Sequence, residues 1–199
     1  MNKINRNAFF SAYRFKVGRL TQSQVDGLDS ILESFENDPD LTDLRHAAYM
    51  LATIKLECAD TWQPIVERGG PAYLSKYEPG TKLGVELGNT KTGDSQLFLG
   101  RGYVMITGRA NYLRLGSALG LGNELIINPA RALEPRVAYR IMSAGMRNGL
   151  FTGRKLSQYI AGTTCDYKGA RRIINGQDKA ETIAAFAQAF EAALRSSAS

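Results

Sequence analysis

The sequence contains few of the residues on which metal and nucleophile chemistry usually depend. Its 199 residues include one histidine, His46, and two cysteines, Cys58 and Cys165. Because neither cysteine has a CxxC partner, neither a zinc site of the usual kind nor a disulfide framework is expected. A Ser-His-Asp or Cys-His arrangement could use only His46, whose apolar neighbours Ala47 and Leu51 favour a structural role. Hydrolytic chemistry, if present, is therefore expected to rest on carboxylates, with no cofactor.

The sequence also lacks long apolar stretches. None approaches the roughly 20 residues that span a bilayer, so no stable membrane insertion is expected. The first 20 residues carry five basic side chains but no following apolar run and no small-residue cleavage site, so no secretory signal is expected. Length and composition predict one domain, 1–199, in which the small, polar residues 195–199 form a flexible tail.

Charge is distributed unevenly along the chain. Residues 101–177 hold 12 Lys and Arg against 3 Asp and Glu, whereas residues 1–100 hold 11 against 13. A basic half can bind an anionic polymer such as bacterial cell wall or nucleic acid, although a surface that keeps the protein soluble is the simpler explanation. No nucleic-acid-binding motif accompanies the charge, so nucleic acid is not an expected partner.

Hydrophobic periodicity predicts a mainly α fold. Thr21 and Gln24 have capping-box spacing before a helix, and the next helix, from about 41 to 58, is apolar on more than one face, as at the centre of a core. From about 60 to 102 the periodicity fails, and frequent glycines predict a loop-rich lobe with a small hairpin. The helical part and this lobe are expected to flank a substrate cleft. Further helices are predicted at 5–14, 111–119, 135–148, 155–160, 166–174 and 178–194.

Two glutamates are candidates for carboxylate chemistry. Glycosidic cleavage without a metal needs one carboxyl group to protonate the leaving oxygen and a second to activate water or attack carbon. Glu57 is the preferred acid because it ends the apolar helix, where the partial negative charge of the helix C-terminus favours the protonated form. Glu67 follows in a Gly-rich segment suited to lining a cleft, although a surface acid paired with Arg68 is an alternative explanation.

A third segment, residues 99–112, reads Leu-Gly-Arg-Gly-Tyr-Val-Met-Ile-Thr-Gly-Arg-Ala-Asn-Tyr. Its glycines permit close approach of the backbone to a ligand, and the segment is neither a P-loop nor a dinucleotide fingerprint. Residues 103–106 form a predicted short strand, and Thr107 offers a hydroxyl just before a helix. The string resembles the signature of family 19 chitinases and the related phage endolysins, which runs roughly Gly-Arg-Gly-x-x-Gln-x-Thr-Gly-x-x-Asn-Tyr.

Other segments resemble the same family in the expected order. Glu57 falls where the family has its His-Glu-(Ser/Thr) catalytic acid. Residues 128–129 match its Asn-Pro, and residues 170–176 match its Arg-x-x-Ile-Asn-Gly segment. The elements at 87–89 and 93–94 resemble the endolysin branch in particular. The resemblance covers roughly 41–190 and implies an α+β fold of the lysozyme type.

The resemblance implies roles by position. Glu57 is the implied general acid, Glu67 the general base, and Thr107 the residue whose hydroxyl holds the attacking water. Substrate-binding roles are implied for Arg101, which would orient the cleft or a carboxylate, and for Tyr103, Asn111 and Asn175. Members of the family invert the anomeric carbon, which predicts carboxyl groups roughly 6.5–9.5 Å apart.

The chain departs from the family pattern at three positions. Leu56 stands where the family has histidine, Cys58 where it has a small polar residue, and Met105 where it has glutamine. Because Met105 cannot donate the hydrogen bond of a glutamine, a shift in substrate preference is expected. Cys58 is expected to be a small buried apolar residue.

The resemblance implies an endolysin that hydrolyses the β-1,4 glycosidic bonds of peptidoglycan strands to lyse a bacterial host. Such an enzyme would accumulate in the host cytoplasm, gain holin-dependent access to the periplasm and act there on the wall. We expect a monomer. A chitinase is an alternative, although uncharged chitin leaves the basic half unexplained. A non-catalytic wall-binding protein is another, and its function would survive Glu57→Gln.

Overall fold

A computed structural model describes residues 3–198, and within that range the fold is mainly α, as predicted. The helices are α1 Arg6–Lys16, α2 Gln22–Glu36, α3 Leu44–Glu57, α4 Pro71–Leu74, α5 Lys82–Glu86, α6 Asp94–Leu97, α7 Arg109–Ala118, α8 Glu124–Ile127, α9 Pro135–Asn148 and α10 Ala180–Ser197. The strands are β1 Ile65–Val66, β2 Arg101–Gly102, β3 Ile160–Ala161 and β4 Thr164–Cys165. Short 3-10 helices lie at Ser75–Tyr77, Pro129–Leu133, Leu156–Gln158 and Gly169–Ile173. None of the described helices is long and apolar enough to cross a membrane.

The chain divides into two compact units. Unit 1 comprises Met1–Gln63 and Gly145–Ser199, and unit 2 comprises Pro64–Ala144. Unit 2 begins close to the start predicted for the loop-rich lobe but extends well beyond the predicted end at residue 102. The reason is that the later helices of this unit pack on its earlier part: α7 contacts α8, and the 3-10 helix Pro129–Leu133 contacts β2.

Unit 1 is built around α3. Residues 47–54 of this helix are all buried, which explains why its sequence is apolar on more than one face. Helix α10 packs against both α3 and α1. An aromatic cluster of Tyr13, Trp62 and Phe190 fills the core beside them, with ring centroids 5.6–6.0 Å apart. Burial of such large side chains contributes roughly 1.5–3 kcal/mol each.

Local capping signals set the starts of the first helices. The predicted capping box of α2 is present: the Thr21 hydroxyl accepts from the Gln24 N–H, and the Gln24 side chain accepts from the Thr21 N–H. Asn5 caps α1 through its side chain. Helix α3 begins at Leu44 rather than near 41 because the Asp43 carboxylate accepts from the Arg45 N–H and caps it there.

The later helices agree with the sequence to different degrees. Helix α9 coincides with the predicted 135–148, and α7 begins at Arg109, earlier than predicted. The helices predicted at 155–160 and 166–174 are only short 3-10 turns, Leu156–Gln158 and Gly169–Ile173. Short segments of this kind carry too few turns for periodicity to distinguish the two helix types.

Residues 195–198 of the predicted flexible tail have regular backbone structure. Helix α10 continues to Ser197, and Ala198 forms a bridge with Ile4. The Asn5 N–H donates to the Ser197 carbonyl at 2.8 Å. Backbone bonds to the N-terminal segment thus hold this end, and the small, polar side chains gave no sign of them. Ser199 lies outside the described residues.

Unit 2 contains a long-range strand pair in place of the predicted local hairpin. Strands β1 and β2 are antiparallel, with Ile65 opposite Gly102 and Val66 opposite Arg101. The strand predicted at 103–106 is wrong. Gly102 (φ +89°) and Met105 (φ +52°) adopt left-handed conformations that reverse the chain, and Ile106 returns to bond Arg101 through both backbone groups.

Candidate active site

Glu57 lies at the last residue of α3 in unit 1. Its side chain is 20% exposed, and its Oε1 accepts a hydrogen bond from Arg171 Nη1 at 2.7 Å. The guanidinium stabilises the charged carboxylate, whereas the C-terminus of α3 disfavours it, so the two influences oppose each other. The helix position was predicted; the arginine was not.

Arg171 is a candidate site residue to which the sequence analysis gave no role. It lies in the 3-10 helix Gly169–Ile173, its side chain is 3% exposed, and its Nε donates to the Asp178 carbonyl at 3.0 Å. A buried guanidinium is costly unless it is paired, and here the Glu57 carboxylate compensates its charge. The available signal was the match of residues 170–176 to the Arg-x-x-Ile-Asn-Gly segment, in which Arg171 is the arginine.

Asn175 lies one turn beyond Arg171. Its N–H donates to the Arg171 carbonyl at 3.1 Å, and its Oδ1 accepts from the Gly176 N–H at 2.8 Å. The residue is exposed. Unit 1 therefore brings the candidate acid, its arginine partner and one of the candidate sugar-binding amides into one hydrogen-bonded neighbourhood.

Glu67 follows β1 directly in unit 2. Its Oε1 accepts from the hydroxyls of Tyr73 (3.0 Å) and Tyr77 (3.1 Å). Its Oε2 accepts from the Gly100 N–H at 3.0 Å, and its own N–H donates to the Gly100 carbonyl at 2.8 Å. Tyrosines and backbone thus bond this carboxylate, in place of the pairing with Arg68 considered as an alternative. Neither tyrosine was predicted as a partner of Glu67.

Thr107 and Glu67 meet at Gly100. A β-carbon on Gly100 would lie 3.0 Å from Glu67 Oε2 and 3.2 Å from Thr107 Oγ1, so both oxygens face the bare side of this glycine. The Thr107 hydroxyl donates to the Met105 carbonyl at 2.9 Å. The structure therefore brings the candidate base and the candidate water-holding hydroxyl to the same glycine.

Arg101 forms hydrogen bonds to the segment that precedes it and to Tyr112. Its Nη1 donates to the carbonyls of Leu97 (2.9 Å) and Leu99 (3.3 Å) and to the Tyr112 hydroxyl (3.0 Å). Burial raises the pKa of Tyr112 to about 12, so its hydroxyl stays protonated and donates to the Leu99 carbonyl. These bonds engage Nη1, and the orienting role implied for Arg101 stays a prediction.

Tyr103 and Asn111 also have implied substrate-binding roles. Tyr103 is only 1% exposed, so its interpretation as a substrate-binding residue is wrong; it is a buried residue of the turn after β2. Asn111 is half-buried, and its Nδ2 donates to the Thr107 carbonyl at 2.7 Å while its Oδ1 accepts from Arg114. Asn111 thus bonds the backbone of Thr107, and the sugar contact implied for it stays a prediction.

The segment containing 87–89 and 93–94 makes contacts with the backbone of Tyr77, one of the tyrosines that bond Glu67. Asn89 Nδ2 donates to the Tyr77 carbonyl, and its Oδ1 accepts from the Arg109 N–H, both at 2.8 Å. Asp94 is buried and pairs with the Arg109 guanidinium at 2.5 Å. This pair, helped by backbone N–H donors, lowers the pKa of Asp94 to about 2. These elements therefore tie the Tyr77 backbone to the start of α7.

The single histidine and the two cysteines differ in their surroundings. His46 Nε2 donates to the Ile160 carbonyl at 2.9 Å, which agrees with the structural role predicted for it. Cys58 is buried, as expected, Cys165 is exposed, and the two do not form a disulfide. Within residues 3–198 no group of three or more His, Cys, Asp and Glu could hold a metal ion.

Comparison with known proteins identifies the fold through structure alone. No protein-family model and no curated protein matches the sequence. Chitinase C from Streptomyces griseus HUT6037 is similar with a TM-score of 0.64 and 18% identity, over 98% of this chain and 78% of that one. A mutant of chitinase C is similar with a TM-score of 0.52 and 19% identity, over 98% of this chain and 94% of that one. A bacterial family 19 chitinase is similar with a TM-score of 0.50 and 18% identity, over 94% of each chain. At this identity the likeness concerns the fold, and it confirms the prediction of a mainly α, lysozyme-like fold of the family 19 type.

Proposed function

We propose that this chain is a glycoside hydrolase that cleaves β-1,4 bonds of peptidoglycan strands by inverting acid/base catalysis. Glu57 is the general acid and Glu67 the general base, and Thr107 helps to hold the attacking water. The fold shared with family 19 chitinases and the motif resemblance both support a glycosidase. Two carboxylates are the minimum that this chemistry requires without a metal.

The observation that carries the proposal is the arrangement of Glu67 and Thr107 around Gly100. Glu67 Oε2 and Thr107 Oγ1 lie 3.0 and 3.2 Å from the position that a Gly100 β-carbon would take, so the two oxygens border the same space left by the glycine and suit a water molecule bound by both side chains. In an inverting reaction Glu67 takes a proton from this water while the water oxygen bonds to the anomeric carbon. The glycosidic bond breaks in the same step.

Arg171 stabilises the carboxylate that Glu57 becomes when it acts as the acid. When Glu57 gives its proton to the leaving oxygen it becomes a carboxylate, and the Arg171 guanidinium at 2.7 Å stabilises that product. Because Arg171 binds Oε1, the second oxygen is the one offered to the glycosidic oxygen. The acid therefore has a fixed orientation before substrate binds.

The charge of the chain favours an anionic substrate. Peptidoglycan carries carboxylates on its peptide stems, and residues 101–177 hold 12 basic against 3 acidic residues. Chitin oligomers form the second candidate substrate, favoured by the names of the similar structures, which are chitinases. The substitution of Met105 for the family glutamine is where we expect the two substrate preferences to diverge.

The enzymatic test compares both substrates with three proteins. Purified Gram-negative peptidoglycan and chitin hexamers are incubated with the wild type, Glu57→Gln and Glu67→Gln, and products are analysed by mass spectrometry and reducing-end labelling. We expect new reducing ends from peptidoglycan with the wild type only, and proton NMR of fresh products shows inversion. Faster cleavage of chitin selects the chitinase alternative, and wall binding without cleavage selects a binding protein.

We further propose that the chain is an endolysin that lyses a bacterial host from within. It would act as a monomer, accumulating in the cytoplasm and reaching the wall through a membrane lesion made by a holin. The resemblance at 87–89 and 93–94 to the endolysin branch supports this role. Expressed in a Gram-negative host, the protein should lyse cells only when a holin is co-expressed. Glu57→Gln should abolish that lysis, and lysis by the variant would contradict the role.

A further inference from the structure

Two tyrosines bind the candidate base, and neither has a role in the resemblance. Tyr73 and Tyr77 both donate to Oε1 of Glu67, at 3.0 and 3.1 Å, while Oε2 faces Gly100 and Thr107. We propose that Tyr73 and Tyr77 are positioning residues that hold the charged Glu67 carboxylate by Oε1 and leave Oε2 to take the proton from water. This inference rests on the proposed role of Glu67 as base.

Both hydroxyls donate to the Glu67 carboxylate in this arrangement. Burial, and after it the charge of Glu67, raise the pKa of Tyr77 well above its ordinary value, so the phenol keeps its proton while the base works. Hydrogen bonds donated to a charged carboxylate are among the stronger ones in proteins. The tyrosine pair therefore fixes the orientation of the carboxylate, with Oε1 engaged and Oε2 toward Gly100 and Thr107.

The other charged and titratable groups around Glu67 are engaged elsewhere. Arg101 is bonded to two carbonyls and to Tyr112, whose buried phenol also senses the Glu67 charge. Lys76 Nζ lies 3.4 Å from the ring centroid of Tyr73 and 4.7 Å from that of Tyr77. A cation over these rings is held by their π faces. The direct side-chain bonds to Glu67 thus come from the two tyrosines.

The Tyr73 ring packs directly against the backbone at Gly69. A β-carbon on Gly69 would lie 2.3 Å from Cδ1 of Tyr73, so the ring rests directly on this glycine. Gly70, the next residue, would meet no atom within 4 Å. Helix α4 then starts with Pro71 and carries Tyr73 back toward Glu67. Gly69 is therefore required to leave space for the Tyr73 ring, whereas Gly70 is not.

Phenylalanine substitutions remove the donors and keep the rings. We would compare Tyr73→Phe, Tyr77→Phe and the double variant with Tyr167→Phe. Tyr167 is the matched control because its hydroxyl also donates to a glutamate, Glu191, at 2.8 Å in unit 1. Two readouts are followed: the carbon-13 NMR chemical shift of the Glu67 carboxyl group at pH 7, assigned with Glu67→Gln, and the separate values of kcat and KM.

In the double variant we expect the carbon-13 resonance of the Glu67 carboxyl group to move, because the group loses two hydrogen-bond donors, and kcat to fall about tenfold with little change in KM. Each single variant should give about half that change in chemical shift, with a smaller loss of kcat. Tyr167→Phe should lower the Tm and leave both readouts in place. An unmoved resonance, or a loss of activity that raises KM and leaves kcat unchanged, overturns the proposal.

Gly69→Ala provides a second test that leaves both hydroxyls in the chain. By displacing the Tyr73 ring it should reproduce the Tyr73→Phe shift, whereas Gly70→Ala should resemble the wild type. Equal behaviour of the two alanine variants contradicts the seating of Tyr73. If the carboxyl resonance moves as expected but the wild type cleaves no glycan, the proposed function fails while the action of the tyrosines on Glu67 stands.

Discussion

Arg171→Met removes the buried partner of the candidate acid. The Arg171 side chain is 3% exposed, that of Glu57 is 20% exposed, and their charged atoms lie 2.7 Å apart. Breaking a buried ion pair by removing one partner costs roughly 3–5 kcal/mol because the other charge loses its compensation. Water reaches part of Glu57, so we expect the free energy of unfolding to fall by about 2–3 kcal/mol.

A double-mutant cycle isolates the charge interaction from the loss of packing. Glu57→Gln keeps a side-chain oxygen for Arg171 Nη1 but leaves the buried guanidinium without a compensating charge, so it should cost about 3 kcal/mol. In Arg171→Met/Glu57→Gln neither charge is left uncompensated. The double variant should therefore be more stable than the sum of the single effects predicts, by about 1 kcal/mol or more.

Urea unfolding followed by far-ultraviolet circular dichroism at pH 7 measures all four proteins. Arg172→Met is the matched control, because Arg172 is the exposed neighbour in the same 3-10 helix and should change stability by less than about 0.5 kcal/mol. The reasoning is refuted if Arg171→Met is as mild as Arg172→Met, or if the two single effects in the cycle simply add.

Three other substitutions test separate parts of unit 2. Asp94→Asn should lower the free energy of unfolding by about 2 kcal/mol at pH 7. Since Arg109 lowers the pKa of Asp94 to about 2, this stability is present above about pH 4 and lost as the pH falls through 2, so an equal deficit in urea unfolding at pH 7 and 2 contradicts the assignment. Gly100→Ala forces a β-carbon to 3.0 Å from Glu67 Oε2 and should reduce kcat more than tenfold with little change in Tm, whereas wild-type kcat would contradict the water site. Thr107→Val should lower kcat about a hundredfold and Thr107→Ser much less, and equal losses would show that the hydroxyl has no role.

Local signals allowed the sequence to predict much of the helical framework. The Thr21–Gln24 capping box marks the start of α2, and the proline at 135 marks the start of α9. These signals act within one turn of the backbone, so they survive any tertiary arrangement. The position of Glu57 at the end of α3 was predictable for the same reason. Its chemistry could be proposed from that position and from the motif resemblance.

The partners of both glutamates were not predictable, because they depend on contacts between distant segments. Arg171 is 114 residues from Glu57 in sequence, and Gly100 is 33 residues from Glu67. Tyr73 is close to Glu67 in sequence, but its direction depends on the turn at Gly69, which has no periodicity to reveal it. Sequence patterns thus located the two carboxyl groups and left their electrostatic surroundings open.

The glycines of the Gly-Arg-Gly segment show why a motif alone does not give the reason for its residues. Gly102 has a φ of +89°, a left-handed conformation that other residues rarely adopt, so its role is to reverse the chain after β2. Gly100 has no such conformation, but the position of its missing β-carbon lies between Glu67 and Thr107. Alanine at position 102 should therefore strain the fold, whereas alanine at 100 should act on the candidate base. The same residue type, two positions apart, serves conformation in one case and access to a carboxylate in the other.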